Sequence, residues 1–570
     1  MKTTPRNHLP RTQRQYPAIE PLESRIAPAT IIVNVLGDTP VAGKTDLRQA
    51  LALADTALSL HPGVVNTIKF ALPAPAAHTE NIITLGGTAL SSNGDVNIVG
   101  PGAGKLIISG NGASGVFSIG GTTGTTTISG LSIVNGNLGN GGAGIYCTES
   151  LTLKNVVISG NTSTSFGAGV NIHGNTTTPP KLSIVNSLIT GNSNQNNSSA
   201  GIDLFETGSF TITKSAISGN AVGIAGGFSN GSTISGSVIS GNANYGLDMY
   251  SSSPTAKITI SGTKIADNKS GGATLSGGNV LITGSTIENN TAVYTGGGLV
   301  TTGAASVTIS KSSIIGNRTT ATNAADQGGG GIFVSGSGTG APTPVKITGS
   351  SISDNSSALD GGGLFAENGI ALSVSTSKFA GNQAHSGAGG GIATRGATAT
   401  GVVNLTVKDA LFTDNVSSRG GAIAAEGATG LEGNGSFSII ASIVAGNSSL
   451  GADAGITVAT SAAVTVTDTV VTNNFAAAFG GGMDIVDTQQ ALITGSFITD
   501  NSATGNGGGL RLFSIVGTIK DSTITGNVAG GGGGGIYLNG AGPVTIESSN
   551  VSANTAPSHP DTQGSGIVFS

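Results

Sequence analysis

The chain contains few charged and aromatic residues. Only 9% of its 570 residues are Asp, Glu, Lys or Arg, and the formal net charge is −5, whereas charged residues make up about 25% of a typical soluble domain. Lys and Arg together number 24 and are scattered, which excludes the basic stripe of a nucleic-acid-binding protein. Aromatic residues amount to 4%, and tryptophan is absent. No apolar run approaches the ~18 residues that a transmembrane helix needs, so we predict no transmembrane segment.

Cysteine is almost absent as well. The single cysteine, Cys147, has no partner for an intramolecular disulfide, which excludes a disulfide-stapled scaffold and a cysteine-rich metal site. It follows Ile145 in an alternating segment, so we expect both side chains to point inward and the thiol to be inert. The six histidines show no regular spacing. We therefore predict no metal site and no cofactor.

The abundant residue is glycine, with 95 copies, and a short phrase recurs with it along most of the chain. The phrase is an apolar residue, any residue, a small or acidic residue and then asparagine, as in Ile158–Asn161 and Phe412–Asn415. Its spacing averages about 28 residues. A repeat of 20 to 50 residues is the signature of a solenoid, a propeller or an array.

Two further segments lie between the asparagines. One has two or more glycines followed by an aliphatic residue, as in Gly361–Phe365, and the other alternates apolar and polar residues, as in Val307–Ile309. Alternation with a period of two is typical of a strand with one buried face. We therefore predict an all-β fold, a right-handed parallel β-helix from about residue 66 to residue 570. This single-stranded solenoid would have about 18 coils, and its handedness follows the strong preference of parallel crossovers.

Asparagine and glycine suit the corners of such a coil. Asparagine tolerates the left-handed conformation of a tight corner, and stacked asparagines can pass amide hydrogen bonds from coil to coil as a ladder. Glycine takes a positive φ without a Cβ penalty. We therefore predict a structural ladder made of Asn111, Asn137, Asn161, Asn192, Asn220, Asn242, Asn268, Asn290, Asn317, Asn355, Asn382, Asn415, Asn447, Asn474, Asn501, Asn527 and Asn554.

The repeated phrases resemble the paired Gly-Gly-Ala-Ile and Phe-x-x-Asn repeats of polymorphic outer-membrane proteins. The match is literal at Gly420–Ile423, Phe379–Asn382 and Phe412–Asn415, and degenerate elsewhere over roughly residues 130–570. This resemblance implies a β-helix that is displayed at a bacterial cell surface or secreted.

The N-terminal part resembles two other modules. Thr45–Leu51 is similar to the signature of the CSLREA domain, with Thr45 in place of cysteine and Gln49 in place of glutamate. Pro21–Ala29 resembles the LEPR-XLL segment at the start of large exported bacterial surface proteins. We therefore divide the chain into a disordered export or sorting leader over 1–30, a CSLREA-like cap with the first coils over 31–110, and β-helix repeats over 111–570.

An amphipathic segment near the N-terminus is suited to cover the first coil, whose core would otherwise be open. Asp46 followed by Gln49 three residues later matches a capping box. We predict a capping helix over 46–60, whose apolar face consists of Leu47, Ala50, Leu51, Ala54 and Leu58.

The other end of the solenoid ends in an edge strand. Ile567–Phe569 reads as one more strand, and an edge strand presents unpaired backbone groups to other chains. We therefore expect self-association through this C-terminal edge unless another segment or partner covers it.

Enzymes also use parallel β-helices, so we searched for their motifs. The Asn-Thr-Asp, Asp-Asp, Gly-His-Gly and Arg-x-Lys phrases of polygalacturonase-like enzymes are absent, and arginine is scarce after Arg48. We therefore predict no catalytic residues.

The strongest candidate for a binding site lies on the glycine-led strands, where alternate side chains point outward. Asp203 and Asp248 would lie about 9–10 Å apart, because the coil between them contributes only Ala225 and glycines. Tyr146 would also face outward. The predicted carbohydrate-contact patch consists of Asn171, His173, Asp203, Phe205, Asp248 and Tyr250.

These observations favour a non-enzymatic bacterial protein, secreted or at the cell surface, with an adhesin-like or structural role in the envelope. Its expected partner is an extracellular polysaccharide or a surface receptor, and not a nucleic acid. The alternative is a polysaccharide-processing enzyme, similar to pectate lyases or glycoside hydrolases, that acts at the 171–250 face. A purely structural envelope protein without a specific ligand is a third hypothesis.

Overall fold

The structure is a computed structural model. It describes residues 28–74, 79–121, 123–139, 141–194, 200–251, 253–320, 328–338, 340–396, 401–427, 435–453, 455–540 and 542–570. The predicted leader over 1–30 lies almost entirely outside the described residues.

The right-handed parallel β-helix is confirmed. In a representative coil the chain passes through Ile145–Cys147, Ser150–Lys154, Val157–Ser159 and Thr162–Ser163. Each strand pairs in parallel with its counterpart one coil away, so the glycine-led, alternating and asparagine-phrase segments each build a continuous sheet. We call these sheets C, A and B, respectively. The fourth, two-residue strand was not predicted.

Sheet A has 20 strands among the described residues. It begins earlier than the predicted residue 66, because Thr30–Val33 pairs with Asn66–Phe70. Its strands are Thr30–Val33, Asn66–Phe70, Val96–Val99, Thr125–Ser129, Ser150–Lys154, Lys181–Val185, Ser209–Thr213, Ser232–Ser235, Lys257–Ser261, Asn279–Thr283, Ser306–Ser310, Thr343–Thr348, Ile370–Ser375, Val403–Lys408, Ser436–Ile440, Ala463–Thr467, Ala491–Thr494, Gly517–Lys520, Val544–Glu547 and Ile567–Phe569.

Sheet B carries the apolar residue that precedes each repeated asparagine by three positions. Its strands in the described part of the chain are Asn81–Thr84, Leu106–Ser109, Ser132–Val134, Val157–Ser159, Leu188–Thr190, Ala216–Ser218, Val238–Ser240, Lys264–Ala266, Thr286–Glu288, Ser313–Ile315, Ser351–Ser353, Lys378–Ala380, Leu411–Thr413, Ile443–Ala445, Val470–Thr472, Phe497–Thr499, Thr523–Thr525 and Asn550–Ser552.

Sheet C carries the predicted binding patch. Its strands form one linear series, namely Leu90–Ser92, Phe117–Ile119, Ile145–Cys147, Val170–His173, Ala200–Thr207, Val222–Phe228, Tyr245–Ser251, Gly271–Ser276, Leu299–Thr302, Ile332–Ser335, Leu364–Glu367, Ile392–Arg395, Ile423–Glu426, Ile456–Ala459, Met483–Val486, Leu510–Phe513, Ile536–Asn539 and Thr562–Gln563.

Short strands of two residues form two further ladders. One is 3-stranded and the other 9-stranded among the described residues. They are Asn137–Leu138, Thr162–Ser163 and Ser193–Asn194, followed by Thr291–Ala292, Arg318–Thr319, Ser356–Ser357, Gln383–Ala384, Val416–Ser417, Ser448–Ser449, Phe475–Ala476, Ser502–Ala503 and Val528–Ala529.

The core fills the inside of the solenoid with stacked aliphatic and aromatic side chains. Ile158, Ile189 and Ile217 lie in register on successive strands of sheet B and are fully buried. Further along the same column, the rings of Phe379 and Phe412 stack with centroids 5.1 Å apart. The apolar positions that the repeat predicted as inward therefore form one continuous core.

The predicted capping helix is present as α1, Leu47–Leu60. Asp46 accepts a hydrogen bond from the backbone N–H of Gln49, and the Gln49 side chain accepts one from Asp46. Leu47, Ala50, Leu51 and Ala54 are buried, and α1 packs on the first two strands of sheet A and the first strand of sheet C. Leu58, by contrast, is only partly buried.

The corner after sheet B differs from the prediction. The residue before the asparagine takes the left-handed conformation, and it is glycine in many coils or an acidic residue such as Asp267 (φ 59°) or Asp354 (φ 55°). The ladder asparagines from Asn161 onward do not have a positive φ. Their amides point into the solenoid, so the preceding residue makes the turn.

Candidate functional site

The repeated asparagines form a ladder along the axis from Asn161 to Asn554. The Nδ2 of Asn415 donates to Oδ1 of Asn447 (2.8 Å) and to the carbonyl oxygen of Phe379 (3.0 Å). The backbone N–H of Asn415 also donates to the same Oδ1 of Asn447 (3.0 Å). The pattern repeats coil by coil until Asn554, whose Nδ2 donates to Asp561 (3.1 Å). The side-chain amides of the ladder are buried and hydrogen-bonded to one another and to the backbone, so the ladder has a structural role.

Two of the predicted asparagines lie outside this ladder. Asn111 and Asn137 are exposed, and Nδ2 of Asn137 donates to the carbonyl oxygen of Gly112 instead (3.0 Å). The backbone N–H of Gly136 donates to Oδ1 of Asn161 (2.8 Å), so glycine occupies the ladder position on that coil. The phrase in the sequence is therefore shifted by one residue there, and the prediction for these two asparagines is wrong.

The predicted patch on sheet C lies in one register. Tyr146, Asn171, Asp203, Ala225 and Asp248 are aligned on five successive strands. Ala225 separates the two carboxylates, as the sequence predicted, and two strand steps correspond to about 10 Å.

Aromatic rings line the outer surface of these strands. The ring of His173 stacks on Phe205 with centroids 4.7 Å apart and an interplanar angle of 11°. Tyr146 stacks on the other side of His173 at 6.0 Å. Tyr250 lies further along the sheet and is 50% exposed. We call Tyr146, His173, Phe205 and Tyr250 the aromatic strip; the stacking of Tyr146 was not predicted.

The two polar residues beneath this strip are less accessible than predicted. Asn171 is only 3% exposed, and the expectation that it faces solvent is wrong. The loop at Gly167 covers it, since a Cβ at Gly167 would lie 3.0 Å from Cβ of Asn171 and 2.9 Å from Cβ of Asp203. The alternation of inward and outward side chains along a strand does not predict that a loop folds over the outer face.

Burial also changes the titration of the carboxylates. Desolvation raises the pKa of Asp203 to about 6, against the opposing effects of a hydrogen bond from the Gly167 backbone and of the nearby His173. Desolvation also raises the pKa of Asp248, although that side chain reaches solvent. Asp203 therefore protonates at mildly acidic pH.

A groove of about 400 Å³ lies beside the aromatic strip. Tyr250 forms one wall, and its ring crosses Gly227, where a Cβ would lie 2.7 Å from the ring carbons. Glycine at this position therefore makes room for the tyrosine. The groove is lined by Thr176, Pro179, Phe205, Glu206, Thr207, Gly227, Phe228, Ser229 and Tyr250.

A second charged region of sheet C was missed by the sequence analysis. Arg511 donates from Nε and Nη2 to the two carboxylate oxygens of Asp484 (2.6 and 2.8 Å), lies 4.0 Å from Asp453, and sits 4.5 Å from the ring centroid of Phe479. Asp484 is fully buried. Its desolvation raises its pKa to about 7, and the neighbouring Asp453 adds to this against the effect of Arg511.

Further ion pairs continue this region towards the middle of the sheet. Glu367, Arg395 and Glu426 are in register on three successive strands. Arg395 pairs with Asp360, and Arg419 pairs with Glu426 at 2.9 Å. The acidic, basic and acidic residues at this one strand position could have been recognised in the sequence. The partners on loops, however, are brought in only by the fold.

The side chain of the single cysteine points into the core, as the alternation of Ile145 and Cys147 predicted. Cys147 is fully buried, its Sγ donates to the carbonyl oxygen of Glu149 (3.3 Å), and burial raises its pKa to about 12. In the described part of the chain no three His, Cys, Asp or Glu side chains come together as potential metal ligands. The only described helix is too short to cross a membrane.

Comparison with known families supports this architecture. The family model described as "Right handed beta helix region" matches residues 181–293, 253–431, 330–514 and 426–570, which together cover more than half of the chain. The chain belongs to this right-handed β-helix family. No curated protein matches it.

Several solved structures are similar to the chain at low sequence identity. Pectate lyase Pel9A has 16% identity and a TM-score of 0.30, with 54% of this chain and 75% of that chain covered. The A-module of the Azotobacter vinelandii mannuronan C-5 epimerase AlgE6 has 11% identity and a TM-score of 0.18, with 94% and 99% covered. Tailspike protein 3 of bacteriophage CBA120 has 10% identity and a TM-score of 0.20, with 95% and 59% covered.

Proposed function

We propose that this β-helix protein binds a polysaccharide along the aromatic strip without catalysing a reaction on it. The observation that carries the proposal is the run of stacked, solvent-facing rings in a protein with only 4% aromatic residues. Aromatic groups that remain exposed beside polar residues are typical of binding surfaces. The C–H face of a sugar ring packs on an aromatic face, while its hydroxyl groups reach the polar rim.

The dimensions of the surface suit a polymer. Tyr146 and Tyr250 belong to strands four steps apart, a distance of about 19 Å along the axis, and several sugar units can lie along it. The groove next to Tyr250 has the size and the mixed apolar and polar lining of a small-ligand site. A chain of sugars would therefore contact the strip and insert one unit into the groove.

We also propose that the protein acts outside the cell, as a secreted or surface-displayed protein with an adhesin-like role. The resemblance of Thr45–Leu51 and Pro21–Ala29 to modules of exported surface proteins supports this location. Cell fractionation, with determination of the mature N-terminus, tests it. Recovery of the protein only from the cytoplasm would contradict it.

Glycan binding is tested by array screening followed by affinity electrophoresis on the hits. Phe205→Ala and Tyr250→Ala should each weaken binding by about tenfold, or about 1.4 kcal/mol, because each removes a stacking face. Phe497→Ala is the matched control, since Phe497 is 51% exposed on sheet B, away from the strip. Equal affinity of all three variants would contradict the proposal, as would the absence of any glycan ligand.

One observation favours the enzymatic alternative. Asp203 has the raised pKa of a general acid, and Asp248 lies about 10 Å away across Ala225, close to the 6.5–9.5 Å that inverting glycoside hydrolases need. The covering loop at Gly167, however, restricts access to Asp203. Screening glycans for product formation decides between the two. Turnover that is abolished by Asp203→Asn would replace the binding proposal with a hydrolase.

A further inference from the structure

Sheet C is irregular where it forms the groove. The pairing of Ala200–Thr207 with Val222–Phe228 shifts register between Leu204 and Thr207, which marks a β-bulge. Glu206 lies inside the bulge with a left-handed φ of 48°. Bulges next to functional sites re-aim a side chain, and a non-glycine residue in this conformation is a strained position that the fold must hold. The bulge turns Glu206 into the groove lining.

The groove also contains an unsatisfied polar group. Thr207 follows Glu206, is 1% exposed, and its Oγ1 has no hydrogen-bond partner among the described residues. An unpaired buried hydroxyl is costly and calls for an explanation. Thr207 helps to line the groove, so its hydroxyl is next to the ligand site, although Oγ1 itself is buried.

The charged residue in the described lining of the groove is acidic. Glu206 is the single charged residue in the described lining, which contains no lysine or arginine. Asp248 lies in the neighbouring outward column of the same sheet, whereas Asp203 in that column loses its charge at mildly acidic pH. Charges within about 8 Å still interact at physiological ionic strength. A ligand with a negative charge on every sugar unit would therefore be repelled here, whereas a cation would be attracted.

We propose that the groove selects a sugar unit with a positively charged amino group, held by an ion pair with Glu206 while its ring packs between Phe205 and Tyr250. The ligand class is thus an amino-sugar polymer, and polyuronates are excluded. This inference rests on the proposed function, since it names the ligand of the same surface. A charge-assisted hydrogen bond is stronger than a neutral one, which makes the amino group the main determinant of specificity.

The full chain should be titrated calorimetrically with four oligosaccharides of equal length at mildly acidic pH. These are glucosamine, N-acetylglucosamine, glucose and galacturonate oligomers. We expect the glucosamine oligomer to bind about tenfold more tightly than the N-acetylated one, the preference to fall as salt is added, and the galacturonate oligomer to bind weakest.

Two variants change the charge of the groove, and thermal melting verifies that each variant keeps the fold. Glu206→Gln keeps the shape and should reduce the preference for the amino sugar to less than about threefold. Ser229→Lys places a cation in the groove lining and should favour galacturonate. Glu80→Gln removes an exposed carboxylate at the start of the solenoid and should leave the preference unchanged.

The outcomes separate the inference from the function on which it rests. If none of the four oligomers and no other glycan binds, both fail. If oligomers bind but galacturonate is preferred, or Glu206→Gln retains the full amino-sugar preference, only the specificity inference is overturned.

Discussion

The side chain of each ladder asparagine links neighbouring coils through hydrogen bonds. Its Oδ1 accepts hydrogen bonds from the previous coil's amide and backbone N–H, and its Nδ2 donates to the next coil's Oδ1 and to a carbonyl. No other side chain combines this donor, this acceptor and this length. The identity of the residue is therefore explained by its amide and not by its tolerance of the left-handed conformation.

Asn415→Ala should lower the free energy of unfolding of the affected coils by about 1–3 kcal/mol, because neighbouring buried groups lose their partner. Hydrogen exchange should show the loss in the coils next to Asn415, since coils of a solenoid couple mainly to their neighbours. Asn111→Ala is the control, as Asn111 is exposed and outside the ladder. Equal protection in the two variants would contradict the assigned role.

The buried pair of Asp484 and Arg511 is a second residue-scale feature. Asp484 is fully buried, and Arg511 supplies two hydrogen bonds to it. Removing Arg511 leaves the carboxyl of Asp484 buried without its two hydrogen-bond donors, so that it must stay charged without a partner or take up a proton.

Arg511→Leu should therefore lower the free energy of unfolding by about 3–5 kcal/mol. The double variant Arg511→Leu with Asp484→Leu should recover much of this loss, because no charge is then left buried. Arg318→Leu serves as the control, since Arg318 is exposed. Chemical denaturation measures all four proteins. A single variant as stable as the double one would argue against this account.

At the scale of the strand, close backbone contact between neighbouring coils requires glycine in the glycine-led segments. A Cβ at Gly363 would lie 2.5 Å from the carbonyl oxygen of Gly391 on the next coil. The first glycine of such a run has a different reason, since Gly361 has a φ of 62°. The run of glycines thus combines one conformational and one steric requirement.

Gly363→Ala should destabilise the protein by about 1–3 kcal/mol, as overpacking does, with lost protection in the strands Leu364–Glu367 and Ile392–Arg395. Gly104→Ala is the matched control, because nothing lies within 4 Å of its Cβ position. Thermal melts and hydrogen exchange on both variants provide the measurement. Unchanged stability of Gly363→Ala would show that the coils can move apart at this point.

The whole molecule is a rod whose length follows from its number of coils. Sheet A has 20 strands among the described residues, and neighbouring strands are spaced by 4.7–4.9 Å, so the axis is about 90 Å long. Helix α1 packs against the first coils. At the other end Phe569 of the last strand is 62% exposed.

Small-angle scattering should give a distance distribution with a maximum dimension of at least about 90 Å and a narrow cross-section. The measurement should be extrapolated to zero concentration, so that any end-to-end association is removed. A maximum dimension well below this length would contradict a single uninterrupted stack of coils.

The sequence alone determined the fold and most of the scaffold. The spacing of asparagine phrases such as Phe412–Asn415 set the length of the coil, the alternation in Val307–Ile309 assigned inward and outward faces, and Asp46 with Gln49 predicted the start of α1. These features repeat or are local, so each can be recognised without knowing what lies nearby. The alignment of Asn171, Asp203 and Asp248 on neighbouring strands was predicted in the same way.

Only the tertiary structure decided which outward residues are accessible to solvent and which charged residues form ion pairs. Asn171 is buried because the loop at Gly167 lies over the sheet, and Arg511 reaches Asp484 on the preceding coil and lies beside Asp453 on a loop two coils away. The bulge that turns Glu206 into the groove has no counterpart in the repeat. A periodic pattern specifies the stacking of coils, whereas loops of irregular length and composition determine what covers them.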